Sequence, residues 1–160
     1  MKKFWIVGGV LLVLVLLRIG LTLTSHESDV SQIQGALAES IKAGKEGQPD
    51  GVMQLLGNQL TVNSQDASGE FSQVAQFIKK QHPDVTFENQ TPLITGDSAQ
   101  ITSSATIDLQ FLGQHRIIHL KTVLLIFHKE LGTKYFFFPA KKWKLEQVEV
   151  PDFSPDQLAG

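Results

Sequence analysis

Asp108, His115, His119 and His128 are residue types that bind metals or move protons, and they fall close together in this chain. On a helix, His115 and His119 would lie one turn apart and could share an ion. The apolar and polar residues around them alternate with a period of two, however, so both belong to a strand, where residues four apart are separated by roughly 13 Å. No metal site is expected. Asp108 could act as a general base if an apolar pocket raised its pKa, with His119 or Tyr135 as its partner. Against this, Asp108 shares its strand face with Thr106 and Gln110, the pattern of a solvated sheet surface. The chain has no cysteine, which removes disulfides, thiolate metal ligands, a thiol nucleophile and a lipid-modified Cys together. No serine sits in a G-x-S-x-G turn and no phosphate-binding glycine loop follows a strand, so no cofactor is expected.

The elements that must position these residues read as helices first and strands afterwards. Val30, Ile33, Leu37 and Ile41 recur at the helical period, giving an amphipathic helix that Ser25 or Ser28 would cap. After a Gly- and Pro-rich loop from Gly44 to Gly51, Val52, Leu55, Leu56 and Leu60 predict a second, shorter helix. A third runs from about Gly69 to Gln81, with Ser68 as its N-cap and Phe71, Val74 and Ile78 along one stripe. Lys79 and Lys80 complement its C-terminal dipole, and Pro83 stops it. The period then changes to two, predicting strands over Val85–Glu88, Ala99–Phe111, Arg116–Lys129 and Tyr135–Val150. Trp143 and Leu145 share a parity that Val148 and Val150 oppose, which predicts a β-bulge at Glu146 or Gln147. The tail from Pro151, over 151–160, is expected to fray.

Two stretches are apolar on both strand parities, Val123–Phe127 and Tyr135–Phe138. Both faces of the sheet must be covered there, which marks Val123, Leu125, Phe127, Phe136 and Phe138 as a candidate ligand or partner surface. Self-association, partner docking and simple internal burial all satisfy that requirement. Lys129, Lys134, Lys141, Lys142 and Lys144 cluster nearby, as a protected strand edge or as contacts to anionic lipid headgroups.

From Phe4 to Leu17 every residue is apolar or Gly, and IGLTLT extends the run past Arg18 to Thr24. About 20 helical residues span roughly 30 Å, the thickness of a bilayer core. Arg18 costs roughly 2.5 to 3.5 kcal/mol at mid-membrane, but it lies near one end and can snorkel outward. Thr22 and Thr24 make a poor signal-peptidase site, so residues 4–24 are expected to stay attached as a transmembrane anchor. Lys2 and Lys3 in the tail, residues 1–3, against Glu27 and Asp29 on the other flank place the N-terminus in the cytoplasm and residues 25–150 outside. Of the 14 basic residues only Lys2, Lys3 and Arg18 precede Ser25, so the remainder carries 11 basic against 16 acidic groups, or −5. That balance disfavours nucleic acid as a partner. A composition of 42% hydrophobic and 19% charged residues is that of a globular domain with a real core.

Three helices followed by a curved antiparallel sheet, closed by a strand reading Lys-Lys-Trp-Lys-Leu-Glu-Gln-Val over Lys141–Val148, make an α+β arrangement that resembles the NTF2-like, or cystatin-like, superfamily over most of residues 26 to 150. The resemblance implies a sheet wrapped around the first helix into a cone with a pocket at its open end. It does not choose a function, because that superfamily holds ketosteroid-isomerase-like enzymes, binding domains and scaffold subunits. A span followed by such a domain is also similar to inner-membrane subunits of type IV secretion systems. The sequence therefore leads to a membrane-tethered, extracytoplasmic binding or scaffold domain, with an isomerase-like pocket enzyme using Asp108 and His119 on a small apolar molecule as the alternative.

Overall fold

A computed structural model describes residues 28–111, 113–135 and 138–153, without the side chains at 111, 131–135 and 138–141. The anchor expected over 4–24 lies outside the described residues. Among the described residues, no helix is long and apolar enough to cross a membrane.

The first helix, α1 (Asp29–Lys45), starts where Ser28 Oγ accepts from the Ser31 backbone N–H at 3.2 Å, so Ser28 is the cap. Its apolar stripe is buried, with Ile33 fully enclosed and Leu37 at 4% exposure. The second helix, α2 (Pro49–Met53), is shorter than the expected Val52–Leu60 segment. From Leu56 the chain instead forms strand β1 (Leu56–Val62), followed by a turn at Asn63 and Ser64 and a short β2 (Gln65–Asp66). Gly57 and the β-branched Thr61 and Val62 weaken a helix there, and a neighbouring strand supplies the pairing that a local reading cannot see.

The third helix begins later than expected. Ser68–Glu70 is a 3-10 turn, and α3 runs over Phe71–Gln81. Ser68 does not cap it: its backbone N–H and its hydroxyl both donate to Asp66 Oδ1, at 2.9 and 2.6 Å. Those two bonds hold the Asp66 carboxyl below its ordinary pKa. His82 ends α3 in a left-handed conformation, and the chain enters β3 (Asp84–Phe87).

Strands β4 (Leu93–Thr95), β5 (Ser98–Phe111), β6 (Gln114–Tyr135) and β7 (Phe138–Glu149) complete one seven-stranded sheet. Its path runs β2-β1-β7-β6-β5-β3, with β4 also paired to β5. The sheet is mixed rather than purely antiparallel, because β1 lies parallel to β7. Register confirms the expected bulge: Ile126 pairs with Gln147 and Phe127 with Leu145, so Glu146 is the extra residue. A second irregularity lies between Ser103 and Ala105 of β5. Such insertions increase local twist and let the open sheet curve toward α1.

The core lies between α1 and the inner face of the sheet, around Ile33, Leu37, Ile101, Phe127, Trp143 and Leu145. At the C-terminal end, residues 151–153 form a turn that brings Phe153 against this core, and the rest of the tail is outside the described residues.

Candidate functional site

Sequence periodicity puts the helix stripe and the odd-numbered residues of β5 against one another, and where three helices and the sheet fail to close completely a cavity of about 180 Å³ remains. Leu37, Ser40, Ile41 and Gly44 of α1 form one wall. Val52, Leu55 and Leu56 form a second, and Ile78 with Pro83, Val85 and Phe87 a third; Leu125 and Leu145 form the floor. The helices come close because two glycines allow it. A Cβ on Gly51 would stand 2.5 Å from the Ala43 Cβ, and one on Gly44 would stand 3.3 Å from the Pro83 carbonyl oxygen.

Every described residue lining this cavity is apolar or glycine except Ser40, which is 8% exposed. The wall therefore offers one hydroxyl and no acid, base or imidazole. Such a surface can enclose a small apolar molecule, but it holds no group that titrates near neutral pH and could transfer a proton.

The candidate acid–base residues lie elsewhere. Asp108 stands in an outer row of the sheet, paired across the strands with Asp84 and with Ile117, which is 59% exposed. Its partner is His115, whose Nδ1 lies 3.0 Å from Asp108 Oδ1, both side chains being more than a third exposed. His119 is within 3.2 Å of the Thr106 hydroxyl and not of Asp108. Tyr135 pairs with Phe138 at the opposite end of β6. Beside them, Lys45 meets Asp84 at 2.6 Å, and this carboxylate raises the lysine's pKa. The structure thus does not bring Asp108, His119 and Tyr135 together. His128 lies 3.9 Å from Glu146, and among the described residues no three His, Asp or Glu converge as for a metal ion.

Of the candidate ligand or partner residues, Val123, Leu125 and Phe127 are buried under the helices, at 4%, 4% and 0% exposure, and Leu125 reaches the cavity. The intervening Leu124 and Ile126 are half-buried on the outer face. Their strand neighbours there are Thr102 with Glu149, and Gln100 with Gln147, all polar residues. Phe136 lies outside the described residues, and Phe138 is placed by its backbone alone. Among the lysines, Lys129 departs from the expected solvated edge: its side chain is 18% exposed and its Nζ lies 2.8 Å from Asp29 Oδ2 and 4.9 Å from the Trp143 ring centre. The Trp143 indole N–H donates to the other Asp29 oxygen at 3.1 Å. Sequence spacing missed this cluster and the cavity walls alike, because both are assembled from residues far apart in the chain.

No family model and no curated protein sequence matches the chain. Solved structures do. A protein described as a calcium/calmodulin-dependent protein kinase II association domain from Xanthomonas campestris is 14% identical, with a TM-score of 0.59 over 81% of this chain and 93% of its own. An NTF2-like protein of unknown function in nutrient uptake from Rhodospirillum rubrum is 14% identical, with a TM-score of 0.57 over 76% of this chain and 96% of its own. A structure named as a ketosteroid isomerase, from Shewanella frigidimarina, is 15% identical, with a TM-score of 0.50 over 77% and 94%. At these identities the likeness is one of fold.

Proposed function

We propose, starting from the NTF2-like fold that the described domain has, that this chain is a non-catalytic binding module held at the outer face of a membrane, with a small apolar molecule as the occupant of its cavity. The observation that carries this reading is the cavity wall, apolar throughout apart from the Ser40 hydroxyl. Its volume of about 180 Å³ is slightly above the roughly 150 Å³ that accepts a benzene-sized guest in a dry protein cavity. Asp108, bonded to His115 on the solvent side and absent from the wall, argues against the isomerase-like alternative built on it. Location outside the cytoplasm rests on the apolar run over 4–24, with Lys2 and Lys3 before it and acidic residues after it.

The test is saturable binding of fluorobenzene, followed by fluorine NMR on the full chain in lipid nanodiscs. Wild type and Asp108→Asn are expected to bind alike, while Val85→Phe, which fills the cavity, should abolish binding and keep the fold. Absence of saturable binding by the wild type would refute the reading.

Self-association is a second reading, supported by likeness to association or hub domains such as the S. rosetta kinase hub (13% identical, TM-score 0.55, 76% of this chain and 95% of its own) and by the exposed Ile117 on the outer sheet face.

A further inference from the structure

The buried stripe of α1 has one member that packing does not require. Ile33, Leu37, Ala43 and Gly44 share that stripe with Ser40, and Ser40 alone among them carries a polar side chain. Leu37 and Gly44, one turn before it and one turn after, line the cavity with it, so Ser40 sits in the middle of that wall. A serine inside a helix can turn its hydroxyl to the carbonyl four residues back, here that of Ala36. Ser40 does not: it is more than nine-tenths buried, and among the described residues its Oγ has no hydrogen-bond partner. Gln81 Oε1 and Ser104 Oγ also lack partners, but both are sealed within the protein and neither residue lines the cavity.

For the empty domain this hydroxyl is unfavourable. Alanine at position 40 would be the better helix former and would bury no polar group without a partner. A trapped water does not relieve it, since buried waters make about three hydrogen bonds and this wall offers one side-chain partner. What does relieve it is a guest with a polar group of its own.

The chemistry of that group follows from the wall. No charged side chain lines the cavity, and burying an unpaired charge costs far more than burying a hydroxyl, so the guest is neutral. Ser40 can donate to a guest, or donate to the Ala36 carbonyl and accept from a guest. A hydroxyl suits both arrangements because it donates and accepts, whereas a carbonyl suits only the first. A volume of about 180 Å³, against the roughly 150 Å³ that accepts benzene, leaves room for one more heavy atom on a ring of that size.

We infer that the cavity takes a neutral apolar molecule of phenol size bearing one hydroxyl, and that Ser40 Oγ selects it by a hydrogen bond to that hydroxyl. This deepens the cavity reading above and rests on it, and the experiment separates the two. Fluorine NMR on the full chain in lipid nanodiscs compares fluorobenzene and 4-fluorophenol as probes, on wild type and on Ser40→Ala. The alanine variant should bind 4-fluorophenol about tenfold more weakly than wild type, because the probe's hydroxyl loses its partner, and should bind fluorobenzene within about twofold of wild type. Its urea midpoint should be unchanged or higher, and Val85→Phe should abolish saturable binding of both probes. Wild type and Ser40→Ala binding 4-fluorophenol equally, with fluorobenzene still bound, overturns the role of Ser40 and leaves the cavity reading standing. No saturable binding of fluorobenzene by wild type removes the cavity reading and the proposal with it. Binding of 4-fluorophenol that survives Val85→Phe places the probe outside the cavity and overturns the proposal, as does a urea midpoint lowered by Ser40→Ala, which would mean that the hydroxyl is bonded within the protein.

Discussion

Asp29 does more for this fold than its place in the sequence suggests. It opens α1, where a carboxylate favours the positive end of the helix dipole, and it accepts from both Lys129 and Trp143 on strands a hundred residues away. Asp29→Ala would leave a largely buried ammonium and a buried indole N–H without this partner. The expected loss is about 1 to 3 kcal/mol, read as a lower urea midpoint by Trp143 fluorescence in a Trp5→Phe background. Asp29→Asn, which keeps an acceptor for the indole, should recover part of it, and an unchanged midpoint for the alanine variant would contradict the assignment. The sequence marks Asp29 only as an acidic residue near a helix start. The titratable residues that drew attention as a chemical cluster, Asp108 and His115, form an exposed pair of the kind worth at most about 1 kcal/mol.

Among the elements, α1 and α2 show how packing overrides a local preference. Gly35 and Gly51 are both helical glycines, and propensity alone gives alanine about 1 kcal/mol at either site. A Cβ at Gly35 meets nothing within 4 Å, whereas one at Gly51 would stand 2.5 Å from the Ala43 Cβ. Gly35→Ala should therefore raise stability by up to about 1 kcal/mol, and Gly51→Ala should lower it by about 1 to 3 kcal/mol by forcing the helices apart. Calorimetric or urea unfolding of the two variants checks the opposite signs. The strand that follows α2 carries a similar lesson. Val52, Leu55, Leu56 and Leu60 fit a helical stripe, yet the segment from Leu56 pairs parallel with β7, since Leu145 donates its N–H to the Leu55 carbonyl and Gly57 lets the strands approach at Leu145 and Glu146. By contrast, the bulge at Glu146 was legible, because a change of side-chain parity within one strand has no other economical explanation.

At the scale of the whole molecule, the Asp29 clamp and the cavity lie along one helix. The start of α1 is locked to β6 and β7 through Lys129 and Trp143, and the cavity lies along the helix toward its C-terminal half, near Gly44 and Pro83. The outer sheet face, with the exposed Ile117, is where the proposed self-association would bring a second copy. Light scattering of the full chain in mild detergent is expected to show more than one chain per particle at micromolar concentrations. A monomer at every concentration would remove self-association and leave the binding cavity untouched.

Period and composition settled what depends on neighbours in the chain. The first helix, the helix over Phe71–Gln81 and the long strands β5, β6 and β7 were legible, Ile33 and Leu37 faced the core and one face of β5 was wet, because each follows from side-chain direction every 3.6 or 2 residues. Tertiary structure alone decided what depends on distance through space. It set the parallel β1–β7 pairing, the place of Asp108 outside the cavity, the Asp29 clamp, and a pocket whose walls come from segments as far apart in the chain as Leu37 and Leu145. Those contacts are fixed by packing in three dimensions, and no one-dimensional period encodes them.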